Sequence, residues 1–166
     1  MLLFDVPALK SWRPTDRAPD GCSLLVPFQD PENVGAVIRT AAALAVDRII
    51  MLSESANPFH PKAVRASAGT VLSAPLLQGP ALAELPPHLP VVTLSASGRP
   101  IDQSPFPESC FLLPGMEGPG LPPQWRVNAV AIPMAPGVES LNAAVATAIA
   151  LYEWRQQKLR RSKHAS

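Results

Sequence analysis

No run of apolar residues in this 166-residue chain approaches the ~18 needed for a membrane-spanning helix, so a helical membrane protein is excluded. The first ten residues lack a basic stretch followed by an apolar core, so they do not read as a signal peptide. Cysteine is scarce. Cys22 and Cys110 stand alone without metal-ligand spacing, which rules out a disulfide-built scaffold and a cysteine zinc site. They read as free thiols of a reducing compartment, with a disulfide as the open alternative, and the expected location is cytoplasmic. Histidine is as rare. His60, His88 and His164 form no nucleophile-base pair and no metal cluster, so no metal is expected and a hydrolase is a distant reading.

What is present points to a folded globular domain. Hydrophobic residues make up 47%, too many for a disordered chain, and the length suits one domain. Apolar runs at Ser23–Phe28, Arg48–Ser53, Val71–Leu77, Val91–Ala96, Cys110–Leu113 and Asn128–Met134 read as strands buried on both faces. Helices are expected over Asn33–Ala45, over Pro61–Ala68 with Gly69 as its C′ residue, and from Ser140 to about Leu159. Leu141, Val145, Ala148, Ile149 and Tyr152 share one face of the last helix. The 21 prolines fall in the connections. The alternation predicts an α/β fold, an open, mainly parallel sheet with helices on both faces. The chain divides into an N-terminal extension (1–22), one catalytic-type domain (23–154) and a basic C-terminal tail (155–166).

The net charge of +1 hides an asymmetry. Five of the 14 basic residues lie from Arg155 onward with no acidic residue among them, leaving a body of about −4. That tail either reaches RNA phosphates or is a solubilising helix end whose cations complement the helix dipole. Lys10, Arg13 and Arg17 form a second basic group with the same ambiguity.

Three segments carry the chemistry. In the first, Asp30-Pro31-Glu32 leads into a helix bearing Asn33, Gly35 and Arg39. Asn33 is readable as an N-cap. Arg39 near the start of an apolar helix opposes the dipole, which suggests a task such as holding a phosphate. In the second, the strand Cys110–Leu113 runs into Gly115-Met116-Glu117-Gly118-Pro119-Gly120. Such a loop at a strand's carboxyl end lets backbone approach a ligand. It has neither the ending of a P-loop nor the dinucleotide fingerprint. In the third, Ile132-Pro133-Met134 leaves a strand and Glu139-Ser140-Leu141-Asn142 opens a helix, where Ser140 or Asn142 is also readable as a cap.

In this order and spacing the three segments resemble the signature motifs of the SpoU (TrmH-like) branch of the SPOUT RNA methyltransferases, and the resemblance extends from Ser23 to Glu153. It implies a C-terminal trefoil knot and an S-adenosyl-L-methionine site. Leu94, Gly115, Ile132, Met134 and Leu141 would contact that cofactor. Asn33, Arg39, Glu117, Ser140 and Asn142 match the family's polar active-site positions, and His60, Lys62 and Arg65 fall in a helix that would touch RNA. Met116, Pro119, Pro136-Gly137 and Ala144 depart from the usual pattern and leave the choice of RNA open. Larger relatives carry an N-terminal RNA-binding domain. Here only about twenty residues precede the first strand, which implies a minimal catalytic domain or a piece of a longer protein.

The function this implies is methylation of a ribose 2′-hydroxyl of tRNA or rRNA by a homodimer. The first and last helices would form its interface, with Trp154 as a candidate contact. The alternative from a different class is a catalytically weak RNA-binding or assembly module with the same fold.

Overall fold

Residues 6–16, 19–116 and 121–164 are described by the computed structural model. Short apolar runs form seven strands: β1 (Lys10–Ser11), β2 (Cys22–Val26), β3 (Arg48–Met51), β4 (Leu76–Gln78), β5 (Val91–Pro100), β6 (Cys110–Leu113) and β7 (Ala129–Ala131). The helices are α1 (Pro31–Ala43), α2 (Pro61–Ala66) and α3 (Ala143–His164). The strands make one sheet in the order β1-β4-β3-β2-β6-β5-β7, with every described pair parallel. From β2 the chain winds outward through β3 and β4. It then crosses to the other half of the sheet, where β6 slots between β2 and β5.

Side chains alternate across this sheet, so each strand feeds two cores. Leu24, Val26, Ile49, Met51, Cys110 and Leu112 face the core shared with α1, α2 and α3. Leu25, Ile50, Leu52, Phe111 and Leu113 face a second core with Trp12, Leu82 and Trp125. The expectation of helices on both faces therefore holds in reduced form. The α-helices cover one face, and the other is closed by 3-10 turns at Leu82–Glu84 and Pro123–Trp125 and by Trp12.

Several expected boundaries are corrected. Val71–Leu77 is not one strand: Thr70–Leu72 is a 3-10 turn, and only Leu76–Gln78 pairs in the sheet. Helix α1 starts earlier than expected because Asp30 caps it. The Asp30 carboxylate accepts from the Glu32 N–H at 2.9 Å, and Pro31, which has no N–H to satisfy, follows. Helix α2 ends in a Schellman turn, with Ala68 N–H donating to Arg65 O and Gly69 N–H to Val64 O. Its C′ residue is therefore Ala68, at φ 50°, with Gly69 one position later. Helix α1 ends the same way, with Ala45 at φ 56° as C′. Helix α3 starts at Ala143 and continues past Trp154 to His164, so the basic C-terminal residues up to there are helical. Gln157 and Arg161 on that last part bond the chain between β5 and β6 at Ser104 and Phe106.

The face of α3 that meets the core carries Ala144, Thr147, Leu151 and Trp154. Val145, Ile149 and Tyr152 are turned outward, while Leu141, expected on the same face, precedes the helix. Trp154 is only 1% exposed, beside Gly21 and under the Lys158 ammonium, which lies 5.5 Å from the ring centroid. One chain buries it fully, so it offers no surface to a second copy. Cys22 and Cys110 sit opposite each other on β2 and β6, buried and free. The hydrogen bond they share, together with burial, pushes the Cys22 thiol up, and the same bond draws the Cys110 thiol down.

Candidate active site

The carboxyl ends of β5, β6 and β7 open into a cleft of about 690 Å³, where parallel sheets bind ligands. Strand β6 ends at Pro114, and Gly115 then passes close to β5. A Cβ on Gly115 would lie 3.4 Å from the Leu94 carbonyl oxygen. Strand β5 carries a bulge here. Leu94 and Arg99 both register opposite Val130, so residues 95–98 leave the ladder and Ser95, Ala96 and Ser97 line the cleft. Gly98 makes the return possible, because a Cβ there would stand 2.6 Å from the Ala129 carbonyl. The opposite wall is Ile132 and Met134 after β7, then Glu139 to Asn142 before α3.

Helices α1 and α3 both begin at this cleft, and one side-chain contact fixes their starts. Because Asp30 is the cap, Asn33 sits inside the first turn of α1 and its amide oxygen takes a tertiary partner. Asn142 Nδ2 donates to Asn33 Oδ1 at 2.9 Å. Asn142 Oδ1 meanwhile accepts from the N–H groups of Ala144 (2.9 Å) and Val145 (3.1 Å), capping α3. One amide thus ends the loop, starts the helix and ties it to α1. The two helix starts add partial positive charge to this wall.

All five residues expected to contact a cofactor, Leu94, Gly115, Ile132, Met134 and Leu141, line the cleft. Of those expected at the polar active-site positions, Asn33, Ser140 and Asn142 line it as well. Arg39 does not. It is exposed on α1, six residues beyond Asn33 and roughly 9 Å further along the axis. It makes no hydrogen bond or ion pair with the described residues. Glu117 lies outside the described residues. His60, Lys62 and Arg65 are exposed on or beside α2, away from the cleft; Lys62 approaches Glu32 at 3.8 Å.

Asp30 and Glu139, which stand in the motifs without an assigned role, and Ser95, Ser97 and Arg126, which sequence reasoning passed over, also line the cleft. Asp30 before Pro31 is a helix-start signature, and Gly98 shortly after the Val91–Ala96 run is a signal for the bulge that carries Ser95 and Ser97. Arg126 carried no such signal. Its Nε donates to Leu121 O at 2.9 Å across the turn after β6. Among the described residues no group of His, Cys, Asp and Glu could hold a metal ion, and no helix is long and apolar enough to cross a membrane.

Known proteins share this fold. Residues 23–152 match the model of the SpoU rRNA Methylase family. A protein of Syntrophobacter fumaroxidans named ribosomal RNA small subunit methyltransferase G 2 is 58% identical over 93% of this chain and 31% of its own length. The chain spans about half the length of the other leading curated relatives. The structure of the SpoU methyltransferase AviRb of Streptomyces viridochromogenes in complex with AdoMet superposes with TM-score 0.79 and 30% identity. It covers 94% of this chain and 67% of AviRb. A structure described for the 2-OH methylation of C/U34 on tRNA superposes with TM-score 0.74 and 32% identity, over 83% of this chain and 95% of that one. The family match begins in β2, takes in the loop after β6 and the start of α3, and ends within that helix; on it, the chain belongs to the SpoU rRNA methylase family.

Proposed function

We propose that the chain is an S-adenosyl-L-methionine-dependent RNA methyltransferase acting on a ribose 2′-hydroxyl of tRNA or rRNA. The observation that carries this is the cleft, which gathers all five expected cofactor positions with Asn33, Ser140 and Asn142. Its volume falls within the ~300–1,000 Å³ usual for small-molecule sites. Leu94, Ile132 and Leu141 offer apolar surface to an adenine, and Gly115 leaves backbone accessible. Asp30 and Glu139 supply carboxylates that suit a cationic sulfonium. The cofactor's sulfonium would supply an already activated methyl group.

What remains for the protein is alignment and management of one proton. The Asn33–Asn142 bond holds the two walls at a fixed spacing before RNA arrives. Ser140 offers a hydroxyl to the nucleotide. Glu117 would order the loop after β6. Arg39 would grip a phosphate beside the target ribose, a role its exposed and unpaired guanidinium supports. A guanidinium stays charged in proteins, so the hydroxyl proton leaves to phosphate or water.

The acting form is a homodimer in the cytoplasm. Val145, Ile149 and Tyr152, at 38–56% exposure, make an outward apolar stripe on α3, which packs against α1. A second copy laid along α3 would cover that stripe and bring two sets of basic residues to one RNA. The buried free thiols suit a reducing compartment.

Calorimetry with S-adenosylmethionine tests the cofactor site, and a chain that does not bind it refutes the reading. Arg39→Ala should abolish methyl transfer with cofactor affinity retained. Mapping RNA from a deletion strain should show loss of one 2′-O-methyl mark, whereas unchanged marks with altered RNA binding would favour the assembly module. Light scattering at micromolar concentration should give a dimer; an active strict monomer would eliminate it.

A further inference from the structure

A second hollow, of about 360 Å³, opens at the carboxyl ends of β3 and β4. It lies on the same edge of the sheet as the cleft, about three strand spacings or ~14 Å away, with the start of α1 rising between them. Met51, Ser53, Ser55, Asn57, Phe59 and Gln78 are among its lining residues. Nothing in the methyl-transfer reading uses them.

Two of its amides are set in fixed orientations, and a hydroxyl beside them is unpaired. The Ser55 hydroxyl oxygen is buried and has no hydrogen-bond partner, a state that ordinarily costs stability unless something fills it. Asn57 Oδ1 accepts from the Phe59 N–H at 2.9 Å, so the amide cannot turn over and its Nδ2 is left as a donor. Gln78 Nε2 donates to Met51 O and Gly79 O, both at 3.2 Å, which leaves Oε1 as an acceptor. One donor amide, one acceptor amide and a hydroxyl match the mixed donor-acceptor edge of a nucleobase. Phe59 is half-buried and contributes an aromatic ring. Directly after it come His60, Lys62 and Arg65. Lys62 is held only by an exposed pair with Glu32, which is weak, and Arg65 has no partner among the described residues. An aromatic followed by spaced cations is the arrangement that holds a base and its backbone in single-stranded nucleic acid.

We propose that this hollow is a nucleobase subsite: it takes one unpaired base of the RNA, a short distance along the strand from the ribose in the cleft, while Lys62 and Arg65 hold the adjoining phosphates. The proposal rests on the RNA-methyltransferase reading and adds to it a site that reads sequence context away from the reacting nucleotide. Selection among RNAs then depends on residues that never approach the methyl group.

The test is an NMR titration of the ¹⁵N-labelled chain, saturated with S-adenosylhomocysteine to occupy the cleft, using each of the four ribonucleoside 5′-monophosphates. The expected result is a saturable shift of amides in Met51–Phe59 and at Gln78, with one base preferred. Phe59→Leu keeps an apolar side chain and removes the ring, and should weaken this binding about tenfold. Ser55→Val should alter the base preference. Both variants should bind S-adenosylhomocysteine like the parent, which also shows that they fold. A silent segment at millimolar nucleotide, equal binding of ribose 5-phosphate, or indifference to both substitutions overturns the proposal. Failure of the parent to bind S-adenosylhomocysteine would instead count against the methyltransferase reading, and the nucleotide titration reads the hollow in either case.

Discussion

Replacing Asn142 by alanine removes three hydrogen bonds with one side chain. Two are the capping bonds to Ala144 and Val145, and the third is the bond to Asn33. Loss of an N-cap of this kind costs about 1 kcal/mol. The bond to Asn33 lies near the surface and adds roughly 0.5–1 kcal/mol, the lower part of the usual range. Together these predict a loss of about 1.5–2 kcal/mol, which for a chain of this size lowers Tm by about 5 °C. Asn142→Ser separates the contributions, since a serine oxygen still caps but does not reach Asn33. It should recover roughly 1 kcal/mol of the loss. Urea unfolding of Asn33→Ala, Asn142→Ala and the double variant completes the cycle. The singles should exceed additivity by about 0.5–1 kcal/mol, because each breaks the same bond. Cofactor affinity should follow the same order, with alanine weaker than serine, since this amide positions the Glu139–Asn142 wall. Additivity within ~0.3 kcal/mol, or an alanine variant as stable as the parent, would refute the role given to this side chain.

Gly35→Ala should destabilise by about 1–2 kcal/mol in urea unfolding, because the new Cβ falls on the Ala63 carbonyl oxygen of α2 and crowds Ala66. A gain in stability, as plain helix propensity would give, contradicts that packing. Ala45→Gly and Ala68→Gly should each stabilise by up to ~1 kcal/mol, because both alanines hold the left-handed C′ position of a helix end. Lower melting temperatures in both would count against those two turns. Gly98→Ala should weaken S-adenosylmethionine binding and lower the unfolding midpoint together, since its Cβ strikes β7 where the cleft-lining bulge rejoins the sheet. Calorimetry showing unchanged affinity would contradict the bulge's part in the site.

The parts of the site that were legible in the sequence are those written locally. Strand ends rich in glycine and proline, and polar residues at helix starts, announce themselves within a few positions. Leu94, Gly115, Ile132, Met134 and Leu141 do converge on one cleft. What was not legible depends on distance or on competition. Asn33 and Asn142 are 109 positions apart, and no local pattern says that they touch. The cap of α1 went to Asp30 because a proline immediately after a capping residue is the stronger start signal. The apolar run Val71–Leu77 could not be told from a strand by periodicity, although Val71 and Leu72 turn as part of a 3-10 segment. Which face of helix α3 meets the core was not legible either. Val145, Ile149 and Tyr152 point outward. The core is met through Ala144, Thr147 and Ala150, small residues that let the helix pack closely, joined by Leu151 and Trp154. Large apolar residues mark a face that must be covered, without saying whether by the same chain or another.

The most direct test is incubation of the purified chain with methyl-labelled S-adenosylmethionine and unmodified total RNA, followed by digestion to nucleosides and mass spectrometry. The expected result is label in one 2′-O-methylated nucleoside, lost with Arg39→Ala. Label on a base, or no label in RNA that the chain binds, would contradict it.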